Sequence, residues 1–174
     1  MAVEGYAELP EAMWYKRLSI EYSLVQEHEP NFSPVDGDLT HYEGVIIGSG
    51  LYESGYFRVE IFIPRSFPFH PPDIVWHTRI WHPNFSDEVP ARVCESIIKD
   101  HWSPSLHVIT VIEALRSLLN DPNPDDPLNA VAAMELKMRP DIFEARVREY
   151  IARFATPEQA FYDGRRRWRL VSHG

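Results

Sequence analysis

The chain has 174 residues, 44% of them hydrophobic and 25% charged, which suits one domain with one core and argues against wholesale disorder. A formal net charge of −9 argues against a nucleic-acid partner, because neutralising phosphates needs a basic face. No apolar run reaches bilayer length, and a single cysteine cannot close an internal disulfide, so neither a membrane span nor a stapled secreted scaffold is expected.

Leu9 to Gln26 reads as an amphipathic helix: Trp14, Leu18, Tyr22 and Val25 recur at helical spacing, and Pro10 suits a first turn. Glu29 to Asp38 is rich in Pro, Asn, Asp and Gly and reads as turns. Strand candidates follow at Tyr42 to Ile47, Tyr56 to Ile63 and Ile74 to His77. In the second, Phe57, Val59, Ile61 and Ile63 alternate with Tyr56, Arg58, Glu60 and Phe62, the period of a strand with one buried face. Gly48-Ser49-Gly50 and Glu53-Ser54-Gly55 supply turns, so an antiparallel meander is expected. Pro64 to Ser105 is proline-rich, aromatic and aperiodic, a long irregular stretch of the kind that carries function.

Helices resume at Ile109 to Leu119, where Val108, Ile112, Leu115 and Leu119 form one face. Asn129 to Lys137 and Ile142 to Phe154 follow, the latter with Phe143, Val147, Tyr150 and Phe154 on one face and Pro140 near its entry. The expected architecture is α+β, a single domain over 1–156 followed by a basic tail over 157–174 that carries Arg165, Arg166, Arg167 and Arg169. The N-terminus Met1-Ala2-Val3-Glu4-Gly5 is not expected to be a secretory signal or a myristoylation site, and a cytoplasmic or nuclear location fits best.

Cys94 is the one thiol, and a lone thiol is either a buried hydrophobe or a nucleophile. Its flanks are Phe69-His70-Pro71-Pro72 and Ile80-Trp81-His82-Pro83-Asn84 upstream, then Trp102-Ser103-Pro104 and Asp121-Pro122-Asn123-Pro124-Asp125-Asp126-Pro127-Leu128 downstream. Such polar, Pro-rich segments place loops rather than core beside the thiol and favour the nucleophile. A sulfur nucleophile suits thioester exchange, because a thiolate both attacks and leaves well. In such chemistry a fixed amide stabilises a developing oxyanion or orders a loop, and a carboxylate places and deprotonates an amine. The eight histidines show no structural-zinc spacing, and no metal or cofactor is expected. Phosphate-loop, dinucleotide and serine-hydrolase motifs are absent.

Taken in order, Pro-x-x-Phe-Pro-Phe-x-Pro-Pro, His-Pro-Asn, Val-Cys, Trp-Ser-Pro and Asp-Pro-Asn-Pro-Asp-Asp-Pro-Leu resemble the ubiquitin-conjugating (E2) family, from about Trp14 to Phe154. The resemblance implies a UBC-like fold with an N-terminal helix, a four-stranded antiparallel meander sheet, an active-site loop and C-terminal helices. It implies that Cys94 carries ubiquitin or a ubiquitin-like modifier as a thioester, received from an activating enzyme and passed to a lysine or a ligase. It assigns Asn84 and Asp126 to catalysis, and His82 and Pro83 to the structure of the loop. Phe69, Pro104 and Ser105, with Lys16 and Arg17 on the first helix, would meet the ligase or activating enzyme.

Three departures stand out. The span from Asn84 to Cys94 is two residues longer than is common in the family, Ala91-Arg92-Val93 replaces the usual glycine-containing approach to the cysteine, and Glu95 follows where leucine is typical. Each is expected to shift the thiol relative to Asn84. In addition, Ile20-Glu21-Tyr22-Ser23-Leu24, Gly44-Val45-Ile46-Ile47, Gly50-Leu51-Tyr52-Glu53-Ser54-Gly55 and Asp126-Pro127-Leu128-Asn129 are similar to the Fused-toes group of inactive variants. That likeness implies an alternative: a silent scaffold for a Hook-type dynein adaptor or a trafficking complex.

Overall fold

The computed structural model describes residues 7–161. Helix α1 spans Glu11–His28, and the Trp14 N–H closes its first turn on the Pro10 carbonyl. Its buried stripe is Trp14, Leu18, Glu21 and Val25, while Tyr22 stays on the outside. The expected tyrosine is thus displaced by a carboxylate. Position 21 lies on the same helical stripe, and the burial is tolerable because three donors meet Glu21 there.

The sheet order is β1-β2-β3-β4, an antiparallel meander of Phe32–Val35, Asp38–Ile47, Tyr56–Phe62 and Asp73–Trp76. Strand β1 lies inside the stretch expected to be turns. Pro34 is tolerated because β1 is an edge strand, and Asp36 and Gly37, at φ of 52° and 78°, form the tight reversal into β2. Phe32 packs so closely over Gly44 that a Cβ there would fall 2.3 Å from the ring. In β3, Phe57, Val59 and Ile61 are buried as expected, and Tyr56, Arg58 and Glu60 face outward.

A single 3-10 turn, Gly50–Tyr52, links β2 to β3. The irregular stretch after β3 contains β4 and a short helix α2, Ser96–Lys99, and much of it is core: Phe67, Trp76, Ile80, Trp81 and Phe85 are buried. Trp76 meets Phe85 at 4.5 Å and Phe57 at 5.4 Å between ring centroids, pairs each worth about 1 kcal/mol beyond area burial.

Helix α3, Val108–Asn120, buries the expected Val108, Ile112, Leu115 and Leu119, and Val111 and Leu118 as well. Helix α4, Ala130–Met138, starts on Asn129, whose side chain accepts from the Ala132 N–H at 3.0 Å. Helix α5, Pro140–Phe154, buries Phe143 and Val147. A last helix, α6, spans Pro157–Phe161, and Phe161 lies edge-on to Tyr56 of β3. Arg165, Arg166, Arg167 and Arg169 lie outside the described residues. Among the described residues, no helix is long and apolar enough to cross a membrane.

Candidate functional site

The segment Trp81 to Asn84, which leads toward the thiol, is fastened residue by residue. Tyr52 donates its hydroxyl hydrogen to the Trp81 carbonyl at 2.6 Å, and the Trp81 indole N–H donates to Glu135 at 2.9 Å. His82 is fully buried. Its Nε2–H donates to the Leu118 carbonyl at the end of α3, and its Nδ1 accepts the Asn84 N–H at 3.0 Å. The acceptance at Nδ1 requires the neutral ring, and burial pushes its pKa down to about 4. The Pro83 carbonyl accepts from the Leu128 and Asn129 N–H groups at 2.8 and 3.0 Å. The His-Pro-Asn segment is therefore tied to α3 on one side and to the Asp121–Leu128 loop on the other.

Asn84 completes that tie. Its Oδ1 accepts the Asn123 N–H at 2.8 Å, and its Nδ2 donates to the Asn123 carbonyl at 2.8 Å and to the Asp126 carbonyl at a longer 3.4 Å. The buried amide thus orders the loop that carries Asp126, and both of its N–H bonds are engaged in doing so. The Asn84 backbone carbonyl accepts the Cys94 N–H at 3.2 Å, which sets the thiol beside it. Cys94 is half-buried, and its Sγ lies 3.0 Å from the Ser96 hydroxyl. Cys94 and Asp126 line one open cleft of about 510 Å³, together with Asp73, Val75, Ile98 and Leu128. The Asp126 carboxylate is exposed, and Asp125 beside it pairs with Lys137.

The extra length before Cys94 is taken up in a small hairpin. Phe85 bridges Val93, the Ser86 N–H donates to the Arg92 carbonyl at 3.0 Å, and the Arg92 N–H returns to the Ser86 hydroxyl at 2.7 Å. Asp87 in its turn accepts from Arg79 and from the Tyr150 hydroxyl of α5 at 2.7 and 2.9 Å. Because the insertion lies beyond the Phe85–Val93 bridge, it leaves the Asn84–Cys94 backbone bond in place. Glu95 turns to Lys99 at 2.9 Å, so its charge is paired next to the sulfur.

The residues read as partner contacts are divided. Lys16 is exposed on α1, and Phe69 is 39% exposed beside a groove that it shares with His70, Pro71 and Trp102. Arg17 is committed inside the molecule. It donates to Glu21 at 2.8 Å and to the Pro104 and Leu106 carbonyls at 3.0 and 2.6 Å, and its guanidinium covers the Phe67 ring. It pins the Pro104–Ser105 loop to α1, and Ser105 there hydrogen-bonds Ser103. Residue types alone missed Glu21, Ser96, Asp87 and Tyr150. For Glu21 the signal was its i+4 spacing from Arg17 on the apolar stripe; the others act through contacts distant in sequence or outside any motif.

The structure thus sets a half-buried thiol against a His-Pro-Asn segment, beside a meander sheet backed by helices. Residues 17–151 match the family model described as ubiquitin-conjugating enzyme, and the chain belongs to that family. It is 40% identical over 116 residues to ubiquitin-conjugating enzyme E2 K of Bos taurus, Homo sapiens and Mus musculus, a match that covers 66% of this chain and 58% of each relative. The match thus spans little more than half the length of those curated relatives. Among solved structures it is similar to a ubiquitin conjugating enzyme structure from Plasmodium yoelii (TM-score 0.76, 31% identity, 85% of this chain and 99% of that one). It is also similar to the conjugating domain of a Toxoplasma gondii ubiquitin conjugating enzyme (TM-score 0.73, 32% identity, 82% and 99%).

Proposed function

We propose that this protein carries ubiquitin or a ubiquitin-like modifier on Cys94 and passes it to a lysine or to a ligase. The observation that carries the reading is the shared cleft: Cys94 and Asp126 line it together, with Asn84 bonded to the backbone of both. In the first step Cys94 Sγ attacks the thioester that an activating enzyme presents. A new S–C bond forms, the activating enzyme's sulfur leaves, and the proton from Cys94 goes to that leaving thiolate. In the second step a lysine amine attacks the same carbonyl carbon, the isopeptide C–N bond forms, and Cys94 departs as thiolate to be reprotonated. Asp126 receives the ammonium and takes one proton from it, which frees the amine to attack, and the second proton, lost as the C–N bond forms, goes to the departing Cys94 sulfur. Asn84 holds the Asp126 loop against the thiol, a positioning role consistent with both of its N–H bonds being engaged. The activating enzyme consumes the nucleotide, so this chain's chemistry calls on no cofactor. Phe69, Lys16, Pro104 and Ser105 would form the face toward the ligase and activating enzyme.

The test is a charging reaction with activating enzyme, nucleotide and a panel of modifiers. A reductant-sensitive adduct that becomes reductant-resistant in Cys94→Ser is the expected result. Absence of any adduct, with the activating enzyme of the same source present, would overturn the reading in favour of a scaffold of the Fused-toes kind, with a Hook-type adaptor as the partner to try.

A further inference from the structure

The outer face of the sheet gathers a second set of chemistry-bearing side chains. Residues of one parity point away from the helices there: His41 and Glu43 on β2, Glu60 on β3 and His77 just beyond β4. Glu43 stands directly opposite Glu60 in the register, an arrangement that is repulsive for two carboxylates alone. His41 stands opposite Phe62, with the two rings stacked at 4.3 Å, which holds the imidazole in one orientation. Glu60 lies between two rings. His41 Nε2 meets one of its oxygens, and His77 Nε2 meets the other at 2.6 Å. The ligand-capable atoms of His41, Glu43 and Glu60 all lie within 4.8 Å of one another. His41, Glu43, Glu60 and His77 are all half-buried, so the set is largely ordered before anything binds.

We propose that this patch binds a divalent transition-metal ion of the zinc class. His41 Nε2 and one carboxylate oxygen each from Glu43 and Glu60 are the ligands, and His77 orients Glu60 through its second oxygen. The donor set selects the class: an imidazole with carboxylates suits zinc, cobalt or manganese, whereas magnesium and calcium favour all-oxygen sites. Three protein ligands leave a position for water. Arg58 shares the face opposite Val45, so an entering cation competes with its guanidinium, and with the two imidazoles on Glu60, for the carboxylates. Sequence spacing pointed away from a metal because the ligands come from two strands and meet only through the register.

The test uses the full chain in a Cys94→Ser background, so that the thiol cannot take up metal. Zinc uptake is followed by calorimetry, and cobalt(II) by its visible absorption. The expected result is one equivalent bound in the micromolar range. His41→Ala and Glu60→Gln should each weaken it by at least about tenfold, and His77→Ala by a factor in the range of about 10–100 or somewhat less, as for outer-shell partners. Circular dichroism identifies any variant that fails to fold, and Glu43→Gln then serves as the alternative ligand deletion. Absence of uptake, or uptake unchanged in the ligand variants, would overturn the proposal and leave a hydrogen-bonded His–Glu–His cluster. Because the readout is metal bound to an uncharged protein, it stands or falls independently of thioester formation.

Discussion

The Cys94 N–H donates to the Asn84 carbonyl across 3.2 Å, and a hairpin that turns at Asp87–Pro90 separates the two in the chain. This bond makes the position of the sulfur depend on the Asn84 segment, and that segment is fixed in turn by His82, Pro83 and the Asn123–Asp126 backbone. Damage to the tie should therefore register in both stability and chemistry.

Asn84→Ala removes the acceptor for the Asn123 N–H and the donor to the Asn123 carbonyl. Those groups are only partly buried, so water recovers part of the loss, and a stability cost of about 1–2 kcal/mol is expected in urea unfolding. Discharge of the thioester to free lysine should slow more than charging does, because the loosened loop carries Asp126. Equal effects on both steps would count against the positioning role.

His82 has a folded-state pKa of about 4, pushed below the ordinary 6.5 by burial, with the hydrogen bond to the Leu118 carbonyl opposing. Between those values the unfolded chain binds a proton that the folded chain refuses. The contribution of the neutral ring is fully present above about pH 6.5 and is lost as pH falls toward 4, by about 3 kcal/mol in all. His82→Gln keeps a donor for Leu118 and abolishes the titration. Denaturation at pH 7 and pH 5 should show a smaller acid loss in the variant.

Glu21 is buried with Arg17, His107 and the Val108 N–H around its carboxylate. Glu21→Ala leaves the Arg17 cation without its carboxylate and the buried Val108 N–H without its acceptor, and a loss of about 3–5 kcal/mol is expected. Glu21→Gln, which still accepts one bond, should lose less. Equal costs for the two in chemical denaturation would mean that packing, not the hydrogen bonds, is what Glu21 supplies.

Ser96 places its hydroxyl 3.0 Å from Cys94 Sγ. If the thioester chemistry holds, that hydroxyl donates to the departing thiolate, and a hydrogen bond to a charged group is worth about 1.5 kcal/mol or more. Ser96→Ala should then slow single-turnover discharge to lysine by about tenfold. Threonine at this position should recover most of the rate, whereas an unchanged rate in the alanine variant removes Ser96 from the mechanism.

Periodicity was a sound guide wherever one face of an element meets one apolar surface. Val108, Ile112, Leu115 and Leu119 of α3 and Phe57, Val59 and Ile61 of β3 are buried as their spacing implies. It failed on α1, where Tyr22 yields the buried stripe to Glu21, because the donors that make a buried carboxylate tolerable come from residues 17, 107 and 108. It also failed at β1, because Phe32–Val35 is a strand only by pairing with β2, and an edge strand can hold a proline that local propensity reads as a turn.

The sequence by itself determined the family, the antiparallel run of β2, β3 and β4, the lone thiol and the loops beside it, because those depend on residue type, spacing and turn chemistry along the chain. Only the tertiary structure decided that Arg17 faces inward onto the Pro104 and Leu106 carbonyls, and that residues 85–93 form a hairpin that returns Cys94 to the Asn84 carbonyl. It also decided that His41, Glu43, Glu60 and His77 share one patch. The reason is the same in each case. These relationships are made by hydrogen bonds and strand register between distant segments, and no local pattern encodes a partner that folding alone brings within 3 Å or so.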